Sequence, residues 1–343
     1  MVRPLRSSMR LVGALAFAFA LVLCGQAQTR AGLIINATYE PGFTPAEIAA
    51  INGAVTTLEH DIANSITVNI DFQVMGSGLG ESNSNVYSVS YYDYYHALAA
   101  VATSPAQLEA LASLGAPPLT EASPNPVDGS NQIILTGPIE RVLGLNGSQV
   151  VGNPGPPYDT IIALNTSITS PPNGLAGYYG LESVAQHELD EALGIGGTGS
   201  MLGQGLVGVG DLDLYRYSAP GVRSYTQYET TSPYSYFSIN GGATVISYFN
   251  QTYGPDYGDW LSNPIPPGFG PQVQDAYGYP GTNPVLGPNE LTALNVIGYD
   301  LAPVPEPSTV ALIASGLFAV GGFWTARRWQ RRLVPAAGRR TAC

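Results

Sequence analysis

Apolar and polar positions alternate or recur with clear periods over the first part of the chain. Leu33-Ile34-Ile35-Asn36-Ala37-Thr38-Tyr39 is rich in apolar and β-favouring residues and predicts a strand, turned by Pro41 and Gly42. Thr44-Pro45 then predicts a helix start, with threonine as N-cap, proline at the first helical position and Glu47 three residues after the cap. Ile48, Ile51, Val55, Leu58 and Ile62 continue it as a stripe of period 3.6. Ile66 to Phe72 returns to period two, so strand, helix and strand follow one another. Gly76 to Ser84 is glycine- and serine-rich and interrupts the pattern.

Farther on, Val86 to Ser90 predicts a strand, while Tyr91 to Ala102 and Ser104 to Leu114 predict helices. Residues 115–130 read as loop, and 131–136 and 160–165 as strands. Leu181, Val184, Ala185, Leu189 and Ala192 share one helical face, and Gly194 is a natural stop. After residue 198 glycine, proline, serine, asparagine and tyrosine dominate, which predicts long ordered loops.

The two ends carry a different pattern. Arg3, Arg6 and Arg10 precede an apolar run from Leu11 to Leu23 and small residues at Gly25, Ala27 and Ala31. That order predicts a secretory signal peptide over residues 1–31. At the other end Pro305-Glu306-Pro307 leads into an apolar span, 310–324, and then the arginines of Arg327-Arg328-Trp329-Gln330-Arg331-Arg332. This tail, 304–343, resembles the PEP-CTERM sorting tail. The resemblance implies an exosortase-type processing enzyme as partner, cutting near Pro-Glu-Pro. It also implies an inner-membrane-anchored precursor, then a place at the cell surface or in the extracellular matrix of a Gram-negative bacterium.

Charge and cysteine content narrow the chemistry between the ends. Residues 32–303 hold three arginines, no lysine and 24 acidic residues, a net charge near −21. Nucleic acid and anionic membrane surfaces are excluded as partners, so the membrane is met through the tail alone. Divalent cations suit such a body. The two cysteines, Cys24 and Cys343, lie outside this segment, which excludes disulfides, thiolate catalysis and cysteine-bound zinc within it.

The chemistry concentrates in Leu181-Glu182-Ser183-Val184-Ala185-Gln186-His187-Glu188-Leu189-Asp190-Glu191-Ala192-Leu193-Gly194. His187 and Glu191 stand one turn apart on a helix and can hold one metal ion together. Glu188 is placed to take a proton from an activated water, as general base. Asp213, with Asp211 as alternate, is the expected third ligand. Tyr215, Tyr217 and Tyr299 are candidates to stabilise an oxyanion, and Met201 to floor the metal site. Of the other two histidines, His60 reads as a surface residue and His96 as packed among tyrosines.

His187-Glu188-Leu189-Asp190-Glu191-Ala192-Leu193-Gly194 resembles the active helix of metzincin-type proteases, H-E-x-x-H-x-x-G-x-x-H. Glu191 stands at the second histidine and Gly197 at the third. Segments 213–221, 236–242, 258–260 and 290–300 are similar to those of a PEP-CTERM-tailed group with a histidine–glutamate helix. The resemblance implies an α+β, zincin-like domain over 32–303, with a mixed sheet, an active-site helix and long loops in its C-terminal half. It implies an exported zinc metalloendopeptidase with a peptide or protein substrate, calcium being the alternative metal. The other reading is a non-catalytic surface or exopolysaccharide-matrix binding protein on a degenerate zincin scaffold.

Overall fold

The opening strand, helix and strand form as their periods require. In a computed structural model of the chain, β1 (Ile34–Tyr39), α1 (Pro45–Asp61) and β2 (Thr67–Val74) follow in order. Thr44 Oγ1 accepts from the Glu47 amide, and the Glu47 carboxylate accepts from the Thr44 amide, a closed capping box. β1 and β2 pair in parallel, from Ile34 opposite Thr67 to Tyr39 opposite Phe72. Val68, Ile70 and Phe72 point into the core, and the residues between them are less buried.

The structure describes residues 32–151, 154–171, 173–226 and 234–303. The described fold forms one compact unit that ends at Leu301. The signal peptide and the tail span lie outside the described residues. Among the described residues no helix is long and apolar enough to cross a membrane.

The first sheet has the order β1-β2-β7-β3, where β7 is Thr160–Leu164 and β3 is Gly80–Ser84. β7 runs parallel to β2, and β3 runs antiparallel to β7 at the sheet's edge. β3 forms within the glycine- and serine-rich stretch that reads as an interruption. Its residues have little β propensity, but a ready partner supplies the ladder, with Gly80 opposite Leu164 and Ser84 opposite Thr160.

A second sheet, β10-β5-β4-β6, joins β4 (Val86–Ser90), β5 (Gln132–Thr136), β6 (Ser148–Val151) and β10 (Val209–Gly210). Helices α2 (Tyr91–Val101) and α3 (Pro105–Ser113) follow β4, and α4 (Gly137–Leu143) follows β5. The short strands β8 (Thr169–Ser170) and β9 (Tyr179–Gly180) pair in parallel just before α5 (Leu181–Leu193). Beyond Gly194 regular structure thins. A 3₁₀ turn (Leu212–Tyr215) leads to the short strands β11 (Arg216–Ala219), β12 (Val222–Arg223), β13 (Tyr236–Phe237) and β14 (Ser247–Tyr248). Helix α6 (Pro288–Ile297) ends the described fold. The architecture is mixed α+β, with several sheets and six helices among the described residues.

Helix α5 is central rather than superficial. It packs on α1 and on β3 and β7, and Leu181, Ala185, Leu189, Ala192 and Leu193 have no exposure. Asp190, Glu188 and Glu191 on its other sides are also buried. A helix whose acids are buried needs partners for them, which rules out a solvated acidic face.

Candidate metal centre

Both ends of α5 are fixed by residues that suit no other place. Gly180 is the N-cap and has no side chain to cap with; Asn283 Oδ1 fills that role, accepting from the Ser183 amide at 3.1 Å. A Cβ on Gly180 would collide with Asn283. Gly194 closes the helix at φ +105°, a left-handed conformation that favours glycine.

One turn before that end, His187 and Glu191 meet. His187 Nδ1 lies 2.9 Å from the Val273 carbonyl, so Nδ1 carries the proton and Nε2 faces the acids. Nε2 is 3.5 Å from Glu191 Oε1 and 3.7 Å from Asp259 Oδ2. Donor atoms of His187, Glu191 and Asp259 all lie within 4.8 Å of one another. Glu191 is held at both oxygens: Ser82 Oγ on β3 donates to Oε2 at 2.5 Å, and the Gly197 amide donates to Oε1 at 3.0 Å. Gln274 Nε2 donates to Asp259 Oδ1 at 3.0 Å.

The third donor beside them is Asp259, from the loop between β14 and α6. Asp213, the expected ligand, lies elsewhere. Its carboxylate accepts from Ser200 Oγ at 2.6 Å, the Met201 amide at 2.9 Å and the Gly210 amide at 2.8 Å. The 3₁₀ turn directs it to the loop after α5, where it closes that loop. Asp211 caps the same turn, accepting from the Leu212 amide at 2.8 Å.

The histidine and acids open on a cleft of about 330 Å³. Leu79 to Ser82 of the edge strand, His187, Glu188 and Glu191 of α5, and Asp256, Asp259 and Asp275 line it. Glu188 sits against Gly80, whose missing Cβ leaves the space that the carboxylate takes. Among the described residues no lysine or arginine lines the cleft. The expected tyrosines do not line it either. Tyr215 and Tyr299 are core residues whose hydroxyls donate to the carbonyls of Val296 and Leu193, and Tyr217 is buried with them. Tyr179 and Tyr279 line the cleft instead. Met201 packs with Val86 and Ile134, away from the cluster. His60 is exposed beside Asp61, and His96 lies edge-on to Tyr92.

Electrostatics favour a cation at this point. Burial opposes charge on His187, but Asp259, Glu191 and Glu188 together raise its pKa well above the usual value. Burial and the neighbouring Glu191 raise Glu188 well above the carboxylate range. Glu191 goes the other way: burial pushes it up, but His187, Ser82 and the Gly197 amide hold it below its ordinary value. Burial raises Asp259, and His187 offsets part of that. Asp256 is pushed up to about 6 by burial and Glu191. Crowded acids around one nitrogen raise the affinity for a positive charge, and a divalent ion competes with protons for the same lone pairs.

Comparison with known families identifies one segment. Residues 303–328 match the PEP-CTERM protein-sorting motif. The tail therefore marks an exported protein, processed at the membrane by an exosortase-type enzyme and then displayed at the cell surface. Comparison with curated proteins and with solved structures returned no match.

Proposed function

We propose that the chain is an exported metal-dependent endopeptidase on a zincin-like scaffold, with His187, Glu191 and Asp259 as metal ligands and Glu188 as general base. The convergence of those three donors beside Glu188, in a cleft bordered by an edge strand, carries the reading. One histidine nitrogen and two carboxylates form a donor set that zinc accepts, with manganese or calcium as alternatives. Such an ion supplies Lewis acidity to a scissile carbonyl and to an attacking water. Glu188, which burial and Glu191 raise above the carboxylate range, is placed to take the proton of that water. The parallel strands β1, β2 and β7 with antiparallel β3 beside α5 support the zincin-like scaffold.

The edge strand supports a peptide as substrate. Among the described residues β3 pairs with β7 alone, and Gly80 to Ser82 of this edge strand line the cleft. An extended peptide binds such an edge by adding a strand. The test uses the purified protein with zinc restored after chelation. The parent is expected to hold about one ion per chain and to cut unstructured peptides. Glu188→Gln keeps the ion and loses hydrolysis by roughly 100-fold or more. Absence of metal uptake defeats the reading. Metal uptake with no hydrolysis of any peptide assigns the domain to surface or matrix binding instead.

A further inference from the structure

The acids and His187 do not account for Gln274. Its side chain is fully buried, one residue beyond the Val273 carbonyl that anchors His187. Its main chain is fixed as well: the amide donates to Glu290 Oε1 at 3.4 Å, and the carbonyl accepts from the Trp260 amide at 2.8 Å. At the end of the side chain, Nε2 lies 3.2 Å from His187 Nε2 and 3.0 Å from Asp259 Oδ1. The other terminal atom, Oε1, is buried and has no hydrogen-bond partner. Gly196 keeps the space: a Cβ there would collide with the Gln274 amide.

The distances from His187 Nε2 to these atoms are close to those between ligands around one ion. Bonds of about 2.0–2.2 Å in a tetrahedral arrangement place ligand atoms roughly 3.3–3.6 Å apart. His187 Nε2 is 3.5 Å from Glu191 Oε1, 3.7 Å from Asp259 Oδ2 and 3.2 Å from the end of Gln274. An N–H facing Asp259 Oδ1 is the stable orientation when no ion binds there. An ion takes the same lone pairs and repels the amide hydrogens. A half-turn of the carboxamide exchanges nitrogen and oxygen with no other heavy atom displaced. It brings the unpartnered oxygen to the ion.

We propose that Gln274 is a fourth protein ligand, through Oε1, and that its N–H donates to Asp259 when no ion is bound. The proposal rests on the metal-site reading above and is separable from it. The set becomes one nitrogen and three oxygens, to which an attacking water adds as a fifth ligand, and it suits manganese(II) as well as zinc.

The test is zinc affinity by chelator competition on the parent, Gln274→Ala, Gln274→Met, Gln274→Glu and His187→Ala, with melting curves in chelator for each. Gln274→Met keeps the volume without an oxygen and is expected to weaken zinc by about 10-fold or more, as is Gln274→Ala. Gln274→Glu always presents an oxygen and is expected to bind at least as tightly as the parent. Visible absorption of the cobalt(II) forms should differ between parent and Gln274→Met, because the ligand number differs. Parent-like or tighter zinc in Gln274→Met overturns the proposal, since a mere placeholder competes with the ion. If the alanine variant fails to fold, Gln274→Glu decides: weaker zinc with a parent-like melt overturns it. A parent without zinc uptake overturns this proposal and the metal site together. Loss in His187→Ala with no change in any Gln274 variant overturns this proposal alone.

Discussion

Ser82 Oγ donates to Glu191 Oε2 at 2.5 Å, joining the edge strand to the site helix across 109 positions of the chain. With the Gly197 amide on the other oxygen, the Glu191 carboxylate has no freedom to rotate. Ser82→Ala releases one side of it. Zinc affinity is expected to fall about 10-fold, the usual effect of losing an outer-shell partner. Thermal stability in chelator should change by only about 1 kcal/mol, the net worth of one hydrogen bond. Chelator competition that returns the parent affinity would remove Ser82 from the site.

Asp259 and Asp213 separate by experiment. Asp259→Asn removes a charge 3.7 Å from His187 and should strip the ion at micromolar zinc. Asp213→Asn should leave metal content unchanged. Its cost is stability, because an amide nitrogen then faces the Met201 and Gly210 amides, or the Ser200 hydroxyl is lost as donor. About 2–3 kcal/mol is expected for an unsatisfied buried group. Metal analysis and melting of the two variants give opposite patterns; loss of metal in Asp213→Asn alone would reverse the assignment.

Gly80 offers a change that alters chemistry more than folding. A Cβ at this position runs into the Glu188 carboxyl, the free end of a flexible side chain. Gly80→Ala should therefore displace the base while the metal ligands stay in place. Peptide hydrolysis is expected to fall about 10-fold or more at unchanged zinc content. Equal turnover in parent and variant would show that Glu188 does not need its observed position.

The parts of the fold carried by a period were legible in the sequence. β1, α1 and β2 follow from alternation, a 3.6-residue stripe and a capping box at Thr44 and Glu47. The i, i+4 spacing of His187 and Glu191 likewise brings these two side chains together on α5. Asp259 was not legible as a partner, because it lies on an irregular loop where no period constrains direction. The glycine of Gly258-Asp259-Trp260 is the one local mark of that position. Gly258 admits no Cβ, since one would collide with the Gly196 carbonyl, so the loop must pass close to the end of α5. Gln274 and Ser82 gave no signal; uncharged polar residues are common in loops and edge strands. β3 was hidden because its residues are poor strand formers and pairing with β7 supplies what they lack.

The tail makes a prediction independent of the cleft. The sorting match begins at residue 303 and spans Pro305-Glu306-Pro307. In a host with an exosortase, surface-exposed protein should lack the residues beyond about Pro307. Glu306→Ala should leave the uncut precursor in the membrane fraction. Intact mass of the surface form decides; retention of Cys343 there would refute processing at this motif.

The last expectation concerns pH. Burial raises Asp275 to about 7, with Glu290 adding to it, and burial followed by Glu290 raises Asp190 in the same direction. His187 is raised as well, by Asp259, Glu191 and Glu188 against its burial. A group whose folded pKa exceeds its unfolded value binds its proton more tightly in the folded state. Its contribution is complete below the unfolded pKa, about 3.9 for aspartate, and is lost as pH rises through the folded value. For Asp275 that window runs from about 4 to about 7. Chelator-stripped protein should therefore be more stable at pH 5 than at pH 7.5. Asp275→Asn removes the titration while its amide oxygen can still accept from the Gln272 amide, a bond of 2.9 Å in the parent. The difference between the two pH values should shrink in this variant by on the order of 2 kcal/mol. Denaturant unfolding at both pH values measures it. Equal pH dependence in parent and variant would mean that Asp275 ionises normally in the fold. Stability that rises from pH 5 to pH 7.5 in the parent would mean that the three raised groups do not govern it.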